Sequence, residues 1–410
     1  MRVRLWVSLI MVAALLESGS AQAALRHRRP HHPARTAADT VFYKGALLED
    51  ADSGRVLFAY NADMQWPPAS MAKMMLLLVA SDQVKAGRAH LNDPVRISER
   101  AAHTGGSRLG LVEGQVYPLR ELMKAALIKS ANDAAVAVAE KVGGSVEATV
   151  RMMNAKALQL GMLHTEYQTV DGLPPRPTHD VDATTAHDLA TVARAIINTT
   201  DLLQWSSLEE TEFDNGVCML RNTNHLIGHF EGCDGLKTGF TFQAGFNLTS
   251  TARRGNMRLI SVILGAPSNQ QRFTQSAKLL EWGFDNFTAV SLLHTGDPLP
   301  VQVRVQSGET GQMVQPIAGK DLKVVLRKSD LQGLKLKYDV PLAVSGPLRT
   351  GDPLGRAVAL DNGEEVTEVI AVSPVAVEMP TEARNLRDGS GTDAWSQIKP
   401  SSQNQLQEPQ

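Results

Sequence analysis

The 410-residue chain has no surplus of either charge: 41 Lys and Arg stand against 43 Asp and Glu, a formal net charge of −2. No extended basic stripe crosses its body, which argues against nucleic acid as the main partner. It has no His-Glu-x-x-His run to suggest zinc, no internal repeat, and, after its first residues, no segment that could cross a bilayer. Cysteine is nearly absent: only Cys218 and Cys233 occur. What remains is a chain long enough for two domains, whose 43% apolar content supports a sizeable core.

The first residues, "MRVRLWVSLIMVAALLESGSAQAAL", carry Arg2 and Arg4, an apolar stretch from Leu5 to Leu16, and small residues ending at Ala23. This three-part form predicts a signal peptide over residues 1–23, cleaved before Ala24. An uncleaved anchor is the alternative, but the apolar run falls short of the roughly 20 residues a span requires. The expected product is exported, periplasmic or otherwise extracytoplasmic. Export permits a disulfide, and a Cys218–Cys233 bridge is slightly favoured over two buried thiols. Closing a loop of about 15 residues, it would contribute on the order of 3 kcal/mol.

Residues 24–40 are basic, proline-interrupted and without apolar periodicity, and read as a flexible lead-in. "GALLEDADSGRVLFAY" predicts a hairpin turning at Asp52-Ser53-Gly54. Helical patterns follow: Leu119, Leu122, Met123 and Ala126 share one face, and Ala135, Val138 and Val142 another. Two more helices are expected in "EATVRMMNAKALQLGM" and "ATTAHDLATVARAII". Strands return in "CDGLKTGFT", "FNLTSTARR" and "RLISVILGA", and the helix "QQRFTQSAKLLEWGF" closes a first domain over residues 41–288. The expected class is α/β (α+β), an antiparallel sheet packed against helices. Strict alternation in "VQVRVQ" and "LKLKYDV", and a hairpin at Asp361-Asn362-Gly363, predict a small all-β domain over 291–378. The polar tail 379–410 reads as disordered.

"PPASMAKMMLLL" places Ser70 one helical turn before Lys73, and the apolar run that follows carries Lys73 inward. Ser-x-x-Lys alone is a weak signal, since the spacing recurs at Ser396 and Lys399 in the tail. Here it has company. Ser130-Ala131-Asn132 lies where a loop enters the alanine-rich helix, and Lys237-Thr238-Gly239 lies on an expected strand. A serine hydroxyl needs an adjacent base to become a nucleophile. A lysine amine becomes that base when burial and a neighbouring positive charge lower its pKa. Lys73 meets the first condition and Lys237 would meet the second. Ser130 can relay a proton to an amide leaving group, Asn132 can orient a substrate amide, and Lys237 and Thr238 can hold a carboxylate. Backbone N–H groups beside Ser70 and on the Lys237 strand can stabilise an oxyanion.

In these three motifs the chain resembles the serine D-alanyl-D-alanine carboxypeptidases. These are the low-molecular-mass penicillin-binding proteins, within the wider fold of penicillin-binding proteins and serine β-lactamases. The resemblance extends in order through "SANDAAVAVAE", "MNAKALQLGM", "DGLKTGFTFQAGFNL", "RLISVILGA" and "LLEWGF", and more loosely into the all-β domain. It implies a β-lactamase/transpeptidase-like catalytic domain. Ser70 would be the acylated nucleophile, Lys73 its base, and Ser130 the proton shuttle. Asn132, Lys237 and Thr238 would contact substrate, and the N–H groups of Ser70 and Phe240 would form the oxyanion hole. Arg272, in "QQRF", matches a position whose guanidinium grips the terminal carboxylate, although a solvated helix arginine is the competing reading. The implied partners are peptidoglycan stem peptides, with β-lactams as covalent inhibitors and no cofactor.

Two departures stand out. Ala131 replaces a more usual glycine, and the tail lacks the helical spacing of an amphipathic membrane anchor. A β-lactamase is the nearest rival; Glu166 is present in "TEYQTVDGLP", but Val170 stands where asparagine would be expected. An endopeptidase would use the same machinery. A non-catalytic wall- or β-lactam-sensing module is the rival from another class, and such a binder has no need of a lysine base.

Overall fold

The computed structural model describes residues 42–174, 181–307 and 310–378. The expected signal segment, lead-in and tail lie outside the described residues.

The expected first hairpin forms, β1 (Gly45–Asp50) against β2 (Val56–Tyr60). Three later strands, β3 (Cys233–Thr241), β4 (Gly245–Arg254) and β5 (Met257–Ala266), complete an antiparallel sheet of order β2-β1-β5-β4-β3. The chain thus leaves the sheet after β2, builds helices, and returns to it at the far edge. β3 is that edge strand, paired on one side only, with Lys237 opposite Thr249.

Among the described residues, six longer helices cover the sheet. α1 (Lys73–Lys85) is buried along nearly its whole first two turns, Lys73 included. A helix apolar all round belongs at the centre of a domain, and α1 packs with α2 (Leu119–Ile128), α3 (Asn132–Gly143), α4 (Val146–Gln159) and α5 (Ala186–Thr199) in one large cluster. Side-chain caps start two of these helices: Ser145 accepts from Ala148 N, and Thr185 from Asp188 N. α6 (Asn269–Asn286) lies with a second cluster that includes Leu48, Leu248, Leu259 and Ile263. Alternate residues of β1 serve the two clusters, Leu47 in the first and Leu48 in the second, as strand geometry requires.

From Phe287 the chain is almost all strand. Phe287–Leu293 pairs with Leu322–Arg327, and Leu334–Asp339, Pro353–Asp361 and Glu364–Val372 form an antiparallel sheet with Ile317–Ala318. The hairpin at Asp361-Asn362-Gly363 forms, with Asn362 and Gly363 both at positive φ. This part joins the first directly. Val325 is buried in the α6 cluster, Arg55 donates to the Val325 carbonyl, and Lys323 pairs with Asp52.

The favoured disulfide is not present: both cysteines are free thiols. Cys218 begins one strand of a short hairpin, opposite Phe213, and packs against the helical cluster. Cys233 begins β3 and packs against the α6 cluster. Closeness in sequence leaves them serving different cores. Burial pushes the Cys233 thiol up to about 12, which leaves it unreactive at neutral pH.

Candidate active site

Pro67 and Pro68 lead into Ala69, held at φ 50°, and a tight turn over Ala69–Ala72 precedes α1. Ser70 sits in that turn and Lys73 opens the helix, with its side chain fully buried. The Lys73 ammonium donates to Ser70 Oγ at 2.9 Å, Asn132 Oδ1 at 2.7 Å and the Asp171 carbonyl at 2.8 Å. All three of its protons therefore have acceptors, which is what permits a lysine here. Burial nevertheless lowers its pKa from 10.5 to about 8, against the opposing pull of Asp171, Asp182 and Asp133.

Three further segments meet this turn. Ser130 takes a left-handed conformation, φ 64°, between α2 and α3, and Asn132 follows as the first residue of α3. The Asn132 amide nitrogen donates to the Gly105 carbonyl at 2.7 Å, so both ends of that amide are held. On β3, Lys237 is fully buried and donates to the Thr238 carbonyl, while Thr238 Oγ1 bonds Thr223 Oγ1 at 2.8 Å. The third segment is the Asp171–Gly172 loop. A Cβ on Gly172 would lie 1.9 Å from the Ala69 carbonyl oxygen, so only glycine lets this loop touch the nucleophile's turn.

A cleft of about 320 Å³ is lined by Ser70, Ser130, Asn132, Thr238, Phe240 and Arg272, among others. Lys73 and Lys237 lie beneath its floor. Arg272 is not a solvated helix arginine: it is buried, donates to the carbonyls of Gly239 and Asn247, and lies over the rings of Phe246 and Phe273. Its Nε is buried without a partner.

Burial lowers Lys73, and its repulsion with Lys237 acts on both groups. Lys237 sits well below the usual lysine range, through burial first and then repulsion from Lys73 and Arg272. Two ammoniums in one low-dielectric space do not both stay charged, and the one without carboxylates nearby loses its proton first.

Several residues that hold the site were not singled out from sequence. Asp133, fully buried, accepts from the N–H groups of Leu109, Gly110 and Leu111, fixing the loop that contributes Gly106 and Ser107 to the cleft. Its position in the first turn of a helix reads as a cap, which hides this role. Asn247, near the start of β4, donates to the carbonyls of Pro67 and Pro68 and accepts from Gly265 N, tying the Ser70 turn to the sheet. An asparagine inside a strand was the available signal. Asp182 holds the N–H groups of Gln168 and Thr169, and burial raises it to about 6. Glu166, by contrast, is exposed and bonded to Gln168 rather than lining the cleft, and Val170 is buried.

The chain is similar to known proteins in both of its parts. Residues 32–268 match the D-alanyl-D-alanine carboxypeptidase family model, peptidase S11, and residues 287–379 match the model of the penicillin-binding protein 5 C-terminal domain. The chain is 32% identical over 339 residues to the D-alanyl-D-alanine carboxypeptidase DacF of Bacillus subtilis, covering 82% of this chain and 85% of that protein. It is 34% identical over 339 residues to DacC of Escherichia coli, covering 81% and 83%. Penicillin-binding protein 5 of Haemophilus influenzae superposes with a TM-score of 0.73 at 30% identity, over 84% of this chain and all of that one. Among the described residues no helix is long and apolar enough to cross a membrane. A buried lysine beneath a serine, three motifs around one cleft and an appended β domain all converge, and the chain belongs to the serine-type D-alanyl-D-alanine carboxypeptidases of the penicillin-binding protein fold.

Proposed function

We propose that Ser70 attacks the D-Ala–D-Ala bond of peptidoglycan stem peptides. The observation that carries this is the fully buried Lys73 amine, 2.9 Å from Ser70 Oγ and pushed down to about 8. A serine is activated by a base within hydrogen-bond reach whose pKa lies near working pH. Neutral Lys73 takes the Oγ proton as Oγ bonds to the scissile carbonyl carbon. The oxyanion that forms faces the N–H groups of Ser70 and Phe240. As the carbon–nitrogen bond breaks, the Ser130 hydroxyl gives its proton to the departing D-alanine nitrogen and recovers one from protonated Lys73. Water then hydrolyses the ester on Ser70, giving a proton to Lys73, which passes it to Ser70 Oγ as the acyl carbon–oxygen bond breaks. Asn132 orients the acyl side of the substrate, and Thr238 and Arg272, which line the cleft, receive the terminal carboxylate, with Lys237 beneath them.

A β-lactam carries its own carboxylate and a strained amide, and acylates Ser70 by the same steps. Glu166 is exposed and bonded to Gln168, outside the lining of the cleft, which argues against its use in rapid ester hydrolysis. The residues ahead of Ala24 support export, and the substrate class supports a periplasmic or extracytoplasmic site of action.

The test is D-alanine release from diacetyl-L-lysyl-D-Ala-D-Ala. Ser70→Ala is expected to lower kcat by a factor on the order of 10⁴ or more and to abolish the penicillin adduct seen by mass spectrometry. Equal release by both proteins would defeat the assignment; adduct formation without release would favour a sensing module.

A further inference from the structure

Arg272 and Phe273 are neighbours near the start of α6, yet the Arg272 guanidinium lies 4.9 Å from the centre of the Phe273 ring. Adjacent positions on a helix do not ordinarily face one another, so the arginine side chain curls back over its neighbour. A second ring, Phe246 of β4, lies 5.5 Å from the same guanidinium. Phe273 is covered in its turn. The His225 imidazole stacks on it, ring centres 4.9 Å apart and planes 18° from parallel. Phe273 is buried and His225 exposed, so the imidazole is the outer member of the stack.

The rings matter because little else steadies this cation. Among the described residues no carboxylate offsets the burial of Arg272, which lowers its pKa from 12.5 to about 10. The carbonyls of Gly239 and Asn247 accept from its Nη1, and its Nε has no acceptor. The ring faces, negative at their centres, supply the rest. The segment that carries His225 is firmly tied. Asn222 donates to the Ser206 and Leu208 carbonyls, Asn224 to that of Gly235, and Thr223 Oγ1 accepts from Thr238 Oγ1. One anchored segment thus reaches the cleft lining through Thr223 and the ring against Arg272 through His225.

We propose that His225 and Phe273 are positioning residues for Arg272. The imidazole holds the Phe273 ring in place, and that ring fixes where the guanidinium meets the carboxylate at the end of a substrate. The inference rests on the Ser70-centred reading above, in which Arg272 receives that carboxylate. The stack acts on the choice between a peptide ending in a carboxylate and one ending in an uncharged group, and not on bond breaking at Ser70. It works through ring area and shape, so another planar ring at position 225 serves equally well. Without a ring there, Phe273 is free to turn toward solvent and the guanidinium loses its seat.

Two probes differ only at the C-terminus: diacetyl-L-lysyl-D-Ala-D-Ala and its C-terminal amide. The wild-type protein is expected to favour the acid on the order of 10²-fold in kcat/KM. His225→Ala should shrink that ratio about three- to tenfold, through KM rather than kcat. His225→Phe should keep it within about twofold of wild type, because it restores the stack without the ring nitrogens. Since His225 is exposed, both variants keep the fold, which their melting temperatures check. A merely structural role slows both probes alike. An unchanged ratio in His225→Ala therefore overturns the proposal, as does a ratio in His225→Phe as low as in His225→Ala. Calorimetric titration of Ser70→Ala, with and without His225→Ala, separates this inference from the hydrolytic reading. If wild type cleaves neither peptide but His225→Ala weakens the preference of Ser70→Ala for binding the acid about threefold or more, the stack stands and the hydrolytic role falls. An equal acid preference in both, or none in either, defeats the stack whatever the rates.

Discussion

At the scale of single residues, the chemistry turns on where two lysines keep their protons. Lys73 must be neutral to accept from Ser70, and burial sets its pKa at about 8. Below that pH the neutral fraction falls tenfold per unit, so the acylation rate should climb with pH and level off near 8. Rates of labelling by a fluorescent penicillin, between about pH 5 and 10, check this limb. Lys73→Arg, whose guanidinium does not deprotonate in proteins, should lose about 10²–10⁴ in the same assay and show no rise. Much of this was legible in the chain. Ser70 and Lys73 lie one turn apart, and the apolar run after Lys73 foretells its burial. The relation between Lys73 and Lys237 was not legible, because which of two buried ammoniums yields depends on carboxylates brought in from residues 133, 171 and 182.

Elements were read best where their periodicity was strong. The faces of α2 and α3, the three strands around Lys237-Thr238-Gly239 and the capped α5 were each visible as patterns of apolar spacing. The short hairpins at Pro94–Arg96 with Val116–Pro118, and at Glu210–Phe213 with Cys218–Arg221, were not. Three or four residues carry too few alternations to stand out. The loop fixed by Asp133 was equally invisible, since its three N–H partners are 22 to 24 residues away in sequence. Asp133→Ala takes the acceptor from those three donors, of which the Leu111 N–H belongs to a buried residue. The expected cost is about 2–3 kcal/mol of stability, with slower acylation as Gly106 and Ser107 lose their place. Denaturant unfolding reads the first effect and penicillin-labelling kinetics the second.

For the molecule as a whole, the β domain is more than an appendage, because its Val325 completes the cluster between α6 and the sheet. Val325→Ala should lower stability by about 1–2 kcal/mol, and the loss should appear at the other domain, as an earlier thermal decline of penicillin labelling. A variant that melts the β domain while leaving labelling untouched would show the two parts to be independent. The site itself adds a second long-range constraint. The loop at Gly172 meets the turn at Ala69 backbone to backbone, with no side chain between them. Drug resistance that arises by remodelling this seam is therefore self-limiting: a turn displaced enough to refuse an antibiotic also refuses the wall fragment it evolved to trim.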